Sequence, residues 1–147
     1  MIALIQRVSR AEVRVRGSCV GRIEEGLLAF IGVAAGDSAP PAERLLERLL
    51  TYRVFADADG RMNRDLTATG GGLLLVPQFT LAADTRKGTR PGFSTAAAPG
   101  IARELFELLL RQARARHPTV AAGEFGADMQ VELVNEGPVT FILSAET

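Results

Sequence analysis

The sequence has one cysteine, one histidine and no tryptophan among its 147 residues, and these scarcities exclude several kinds of site. The single cysteine, Cys19, cannot form a disulfide within the chain, and one cysteine with one histidine is too few for a Cys/His metal cluster. A nucleophile activated by histidine would have to use His117, which the pattern places at a helix end beside Pro118. We therefore expect no metal site and no cofactor.

The chain also lacks net charge and long apolar runs. Its 17 basic side chains balance 17 acidic ones, so bulk electrostatic attraction gives no argument for nucleic acid, and any RNA contact must be local. The longest apolar run falls far below the roughly 20 residues that span a bilayer. The segment Met1–Arg7 becomes polar too early for the core of a signal peptide. These features predict a cytoplasmic protein without a membrane segment.

Periodicity predicts a mixed α/β protein with two main helices. Pro40 and Pro41 lie in the first turn of one predicted helix, and Pro99 opens a second that ends before His117. Alternating or continuously apolar runs predict seven or eight short strands, several of them joined by hairpins. We therefore expect largely antiparallel, curved and barrel-like sheets. The length, residues 1–147, is that of a single domain.

Three segments support more specific predictions. Leu27–Val33 is an apolar run of strand length and predicts a central strand. Asp57–Gly60 ends in Asp-Gly and predicts a hairpin turn. The longest irregular segment, 82–94, carries three cations that either hold phosphates or lie on a solvated surface loop. These cations are Arg86, Lys87 and Arg90.

Two polar segments interrupt apolar runs and are the candidate functional sites. The first, Gln78-Phe79-Thr80, follows Pro77, which cannot donate to a sheet ladder, so the strand lies at an edge or leaves the sheet there. Backbone N–H groups freed in this way could stabilise an oxyanion, although threonine is also ordinary in a strand. The second segment, Asn135–Thr140, predicts a turn between two strands. Its Gly-Pro could aim two carbonyls in one direction, or form an ordinary tight turn.

The N-terminal strand and three later segments carry a resemblance to a known family. They are Met1–Val8, Gln-Phe-Thr-Leu at 78–81, Phe-Gly-Ala-Asp-Met at 125–129, and Asn-Glu-Gly-Pro-Val-Thr at 135–140. Together they resemble the D-aminoacyl-tRNA deacylases, also called the D-Tyr-tRNA deacylase family, from residue 1 to about residue 143. The family's signature motifs are Ser-Gln-Phe-Thr and Asn-x-Gly-Pro-Val-Thr. Pro77 replaces the serine here, which puts any role of that serine in doubt.

The resemblance implies a homodimeric hydrolase of the deacylase fold that splits the ester between tRNA and a D-amino acid or glycine. In this family the turn of one subunit enters the pocket of the other. Gly137 and a cis-linked Pro138 would then face the amino acid with backbone carbonyls, which an L side chain would strike. Arg7 would brace the turn across the interface. Phe125 and Met129 would lie near the terminal adenosine.

For catalysis, the resemblance assigns Gln78, Phe79 and Thr80. The backbone N–H groups of Phe79 and Thr80 would stabilise the oxyanion, while water attacks with help from the terminal 2′-hydroxyl of the tRNA. Thr80 as a covalent nucleophile is the alternative, but it lacks an evident base. The competing class of protein is a non-catalytic homodimeric module that presents the Gly-Pro turn to RNA or to a peptide.

Overall fold

The computed structural model describes residues 1–146, and its main sheet is built around the first strand. Six strands form this sheet: β1 (Ile2–Val15), β2 (Ser18–Ile23), β3 (Gly26–Gly32), β6 (Gly72–Pro77), β7 (Val120–Ala122) and β8 (Gln130–Ser144). β1 pairs antiparallel with β2, β3 and β8, whereas β3–β6 and β6–β7 are parallel. The strand order is β2-β1-β3-β6-β7, with β8 also on β1. The predicted mixed, largely antiparallel sheet is therefore confirmed.

Three α-helices and one short 3₁₀ helix complete the described part of the chain. They are α1 (Ala39–Thr51), α2 (Leu66–Thr69), α3 (Pro99–Arg116) and the 3₁₀ helix Phe79–Ala82. The two long helices are those that the sequence predicts, and each has proline in its first turn. α2 was not predicted, because four residues are too few to show a helical period. No helix within residues 1–146 has the length and apolar character needed to cross a bilayer.

The sheet is buried on both faces. On one face, α1 and α3 cover alternate residues of β3 and β6, including Leu27, Ala29 and Leu75. The residues between them, such as Leu28 and Leu74, form a second core inside the curl of the sheet. Burial on both faces explains why the central strands are continuously apolar instead of alternating.

The sheet curls until its outer strands β2 and β7 approach each other. A Cβ atom at Gly21 of β2 would lie 2.5 Å from the carbonyl oxygen of Ala122 in β7. Only glycine leaves room for this approach. The curved, barrel-like form predicted from the sequence is confirmed by this arrangement.

The segment around the Gly-Pro pair differs from its prediction. Residues 130–144 form one continuous strand, β8, and not two strands joined by a turn. Along β1, Gln6 pairs with Thr140 and Val8 pairs with Asn135. Arg7 alone therefore lies opposite the four residues 136–139. The interruption is a wide bulge in one strand, which projects from the sheet without reversing the chain.

A second hairpin lies outside the main sheet. β4 (Phe55–Ala56) and β5 (Met62–Arg64) pair antiparallel around the turn that Asp57–Gly60 predicts. The carboxylate of Asp57 accepts backbone N–H bonds from Asp59 at 2.9 Å and from Arg61 at 3.0 Å. The turn prediction is confirmed, and the strand before the turn begins at Phe55, because the backbone from Tyr52 to Val54 leaves α1 without pairing.

Candidate active site

A cavity of about 470 Å³ lies at the carboxyl end of β6. One wall is formed by Pro77, Gln78 and Phe79, and the opposite wall by residues 125–129. The start of α3 closes the cavity with the buried side chain of Ala102. A volume of this order accepts a small organic ligand such as a nucleoside. Four residues predicted from the sequence, Gln78, Phe79, Phe125 and Met129, meet here.

The Gln78-Phe79-Thr80 segment leaves the sheet and starts the 3₁₀ helix. The backbone N–H of Gln78 donates to the carbonyl of Ile31 at 2.8 Å, which is the last tie to β3. The N–H groups of Phe79 and Thr80 are the first of the helix and have no partner within it. In the described part of the chain, no other group accepts from them. Two adjacent backbone donors are thus free beside the cavity.

The side chains of this segment are tied to each other. Gln78 Nε2 donates to Thr80 Oγ1 at 2.5 Å, which fixes the threonine hydroxyl at the start of the helix. The Phe79 ring is 60 % exposed and packs against the ring of Phe93, with centroids 5.4 Å apart. No basic side chain within residues 1–146 bonds to the Thr80 hydroxyl. Strand β6 ends at Pro77, so of the two predicted arrangements the strand leaves the sheet there.

Two side chains of the opposite wall, Phe125 and Met129, are apolar and supported from behind. The Phe125 ring lies 6.4 Å from the Phe106 ring and 4.8 Å from the guanidinium of Arg103. The Met129 side chain packs against Gly123, because a Cβ atom added at Gly123 would lie 2.8 Å from the Met129 sulfur. An aromatic ring and a polarisable thioether form a surface suited to a flat base. Sequence reasoning missed Arg103, because a cation on the exposed face of a helix gives no signal of its own.

The bulge on β8 is anchored to β1 by two side chains. Arg7 Nε donates to the carbonyl of Glu136 at 2.8 Å, and its NH1 group donates to the carbonyl of Val54 at 2.7 Å. Asn135 Nδ2 donates to the carbonyls of Arg7 and Val139, both at 3.1 Å. These four bonds hold the segment that contains the cis Gly137-Pro138 peptide. The role of the Asn135 amide was not predicted, although the residue lies within the recognised motif.

The structure separates the predicted site residues into two groups. Arg7, Gly137 and Pro138 cluster at the bulge, and none of them lines the cavity of the same chain. Gly137 and Pro138 are exposed on the protein surface. Arg7 contacts the bulge of its own chain, and its role across a subunit interface stays a prediction.

The irregular segment 82–94 carries the three predicted cations, but they differ in their surroundings. Arg86 forms two side-chain bonds to the carboxylate of Asp84, each at 2.9 Å. These bonds, together with the backbone N–H of Arg86, lower the pKa of Asp84 below its ordinary value. Lys87 and Arg90 are exposed and take part in no ion pair within the described residues. Lys87 and Arg90 are therefore available to bind a ligand, whereas Arg86 is paired with Asp84.

Free backbone donors beside a ligand-sized cavity are typical of enzymes that stabilise the oxyanion of an acyl-transfer reaction. Comparison with known proteins agrees with this class. Residues 4–144 match the family model described as D-Tyr-tRNA(Tyr) deacylase. The chain therefore belongs to the D-Tyr-tRNA(Tyr) deacylase family, which confirms the family that the sequence motifs resemble.

Individual relatives are similar over nearly the whole chain. A D-aminoacyl-tRNA deacylase of Azotobacter vinelandii is 62% identical over 145 residues, covering 99% of this chain and 100% of the relative. One of Pseudomonas entomophila is 60% identical and covers 97% of this chain and 99% of its own. Among solved structures, a c-Myc DNA unwinding element binding protein superposes with TM-score 0.95 at 33% identity over both full chains. A probable eukaryotic D-amino acid tRNA deacylase, 16% identical over 97% of both chains, shares the fold with TM-score 0.84.

Proposed function

We propose that this chain hydrolyses the ester bond of D-aminoacyl-tRNA and releases the D-amino acid and free tRNA. The observation that carries this proposal is the cavity lined by Phe79, whose backbone N–H has no partner within its helix, and by Phe125 and Met129. The wall would hold the terminal adenosine, and the 3₁₀ helix would hold the ester carbonyl. A protein with this substrate would act in the cytoplasm, where tRNA is charged and used.

The N–H groups of Phe79 and Thr80 would stabilise the oxyanion that forms when water attacks the ester carbonyl. Backbone donors that bond to the developing oxyanion lower the barrier without adding a charged group. The ester is already activated, so a positioned water suffices, and the 2′-hydroxyl of the terminal ribose can assist it. Gln78 would orient the Thr80 hydroxyl through its 2.5 Å bond and thereby support the start of the helix.

The Gly137-Pro138 bulge of a second subunit would complete the pocket and select the chirality of the substrate. The bulge is exposed and firmly anchored by Arg7 and Asn135, yet within residues 1–146 it does not line the cavity beside Phe79. Carbonyl groups held in this way would collide with an L side chain, while a D side chain or the hydrogen of glycine would point away. Glycyl-tRNA is therefore also a proposed substrate.

Exposed apolar side chains on β8 support a homodimer. Val134, Phe141 and Ile142 are 41%, 37% and 63% exposed, on the strand that carries the bulge. Burying apolar surface of this kind between two copies would favour a dimer. A two-fold axis near β8 would use the same surface of both copies, so each bulge could enter the partner's cavity.

The loop 82–94 would contribute affinity for the tRNA backbone. Lys87 and Arg90 are exposed cations, and Phe93 of the same loop packs on Phe79 at the cavity. Phosphate contacts made here would position the acceptor end without taking part in the chemistry. Removing both charges should raise KM and weaken the salt dependence of binding, and leave kcat unchanged.

The test is hydrolysis of tRNA charged with D-tyrosine, L-tyrosine or glycine at catalytic protein levels. We expect release of D-tyrosine and glycine over many turnovers, and no release of L-tyrosine. Free D-tyrosine appearing only at the rate of the uncatalysed reaction would contradict the proposal. If the protein also bound the charged tRNA stoichiometrically without release, the chain would be a binding module instead of an enzyme.

A further inference from the structure

A second cavity of about 630 Å³ adjoins the first. The two cavities share Asp128 and Met129 as lining residues, so Met129 separates them. The far wall of the second cavity is the turn of the β1–β2 hairpin, residues 14–17. This neighbourhood follows from the sheet, because Arg14 of β1 pairs with Gln130, the first residue of β8.

Asp128 lines both cavities, but only the second cavity is also lined by arginines, Arg14 and Arg16. Arg14 is already paired, with Glu12 at 2.9 Å and with Glu132 at 3.0 Å. Arg16 and Asp128 are exposed, and within residues 1–146 neither of them forms an ion pair. The second cavity therefore presents one free cation on the hairpin and one free carboxylate beside the first cavity.

We infer that this second cavity binds the cytidine nucleotide that precedes the terminal adenosine of the tRNA. The inference rests on the proposed function, since it requires the adenosine to occupy the first cavity, next to Met129. The guanidinium of Arg16 would bind a phosphate of this nucleotide. The carboxylate of Asp128 would accept a hydrogen bond from the N4 amino group of cytosine.

The carboxylate of Asp128 also gives a reason for base selectivity. Cytosine presents an amino donor at the position where uracil presents a carbonyl oxygen. A carboxylate is an acceptor only, so it binds the first and repels the second. Every mature tRNA ends in the sequence CCA, so a cytidine always stands in this position of the substrate.

Arg16 offers a substitution that removes its charge and preserves the turn. Its φ is 49°, in the left-handed region, and Gly17 follows with φ 79°. The pair is the two-residue turn between Val15 and Ser18. Asparagine adopts the left-handed conformation more readily than arginine does. Arg16→Asn therefore keeps the hairpin, and Arg16→Lys keeps the charge.

The test compares three small substrates: D-tyrosine esterified to adenosine, to the dinucleotide CpA and to the dinucleotide UpA. For the wild type, we expect kcat/KM to rise about tenfold from adenosine to CpA, and to be about tenfold lower for UpA than for CpA. Arg16→Asn should lose most of the gain from the added nucleotide, and Arg16→Lys should restore it. Asp128→Asn should lose the preference for CpA over UpA, because an amide can also donate.

The control variant is Arg22→Asn. Arg22 lies on the same hairpin, but it is paired with Glu24 at 3.0 Å and does not line the second cavity. It should leave both ratios unchanged. Calorimetric binding of uncharged CpA and UpA gives a second measurement that does not depend on hydrolysis.

The outcomes separate this inference from the proposed function. Hydrolysis of the adenosine ester without any gain for CpA would leave the proposed function intact and overturn the inference. The inference would also be overturned if the gain from the added nucleotide persists in Arg16→Asn but disappears in Arg103→Ala. The RNA would then run past Phe125 and Arg103 and not through the second cavity. Equal binding of CpA and UpA would overturn the inference, and the proposed function fails only if the wild type also hydrolyses no D-tyrosyl-tRNA.

Discussion

Phe79 acts in the proposed site through its backbone and not through its ring. The ring is 60 % exposed, whereas the N–H group begins the 3₁₀ helix beside the cavity. The same holds at the bulge, where carbonyl groups and not side chains would meet the substrate. Every residue has the same backbone groups, so the type of a residue does not show that its backbone takes part in the reaction. In this sequence only the motif indicates these groups.

Phe79→Pro should abolish activity while the protein stays folded. Proline removes the N–H group and is tolerated at the first position of a helix, where that group has no intrahelical partner. Losing one oxyanion donor should lower kcat by about 100- to 1,000-fold. Phe79→Ala is the matched control, because it keeps the donor and removes the ring. If both variants lose activity equally, the ring and not the N–H is the important group.

Thr80→Val should retain activity within about tenfold of the wild type. The hydroxyl is bonded to Gln78 Nε2 and contacts no base in the described residues, so its loss removes one supporting hydrogen bond. Removing a true nucleophile would lower kcat by several orders of magnitude. Single-turnover kinetics and mass spectrometry of the quenched reaction provide the measurement. An acyl group trapped on Thr80 would contradict the assignment of water as the nucleophile.

Gly137→Ala should disturb the bulge without unfolding the chain. A Cβ atom there would collide with the Asn135 side chain and lie 2.6 Å from the Val139 nitrogen. Asn135 would lose its bonds to the Arg7 and Val139 carbonyls, and a shift of about 1 Å at the bulge should lower D-aminoacyl-tRNA hydrolysis about 100-fold. Gly100→Ala is the control, since it faces open space in α3. Unchanged rates and unchanged D/L selectivity in Gly137→Ala would contradict the role of the bulge.

At the scale of elements, the sequence predicts what depends on neighbours along the chain. The two long helices follow from apolar spacing and from prolines in their first turns, and the β4–β5 turn follows from Asp-Gly. Long-range pairing is different. Nothing local shows that β8 runs unbroken through Gly137-Pro138, since that strand is held together by β1, more than a hundred residues away.

Glu132 is a charged link between these two long strands. Bonds from Arg10 and then Arg14 lower its pKa below the ordinary value of 4.5. A carboxylate with a depressed pKa stabilises the fold above its ordinary pKa, and this stabilisation is lost as pH falls through the folded value. Glu132→Gln should therefore lower Tm slightly at pH 7 and should match the wild type at a pH well below 4.5.

Thermal unfolding followed by circular dichroism between pH 3 and pH 8 measures this difference. Glu104→Gln, on the exposed face of α3, is the control and should show no pH-dependent difference from the wild type. A Tm difference for Glu132→Gln that grows towards acid pH would mean that the carboxylate is repelled and not attracted by its surroundings.

At the scale of the whole molecule, the fold class and the family could be predicted, but the layout of the site could not. The motifs at 78–81 and 135–140 indicate the same reaction, yet they lie on different parts of one chain. Sequence order contains no information on whether two segments meet in one subunit or between two. Within residues 1–146, the bulge does not line the cavity beside Phe79, and it is exposed on the surface. This separation leads to the proposal that two copies share each site.

Mixing two strongly impaired variants shows whether two subunits share each site. Gly137→Ala damages only the bulge, and Phe79→Pro damages only the cavity, so a mixed dimer holds one site in which both parts are intact. After co-expression, we predict that D-tyrosyl-tRNA hydrolysis returns to about a quarter of the wild-type rate, because half of randomly paired dimers are mixed. Mixed dimers that are isolated, correctly folded and still inactive would contradict the shared site.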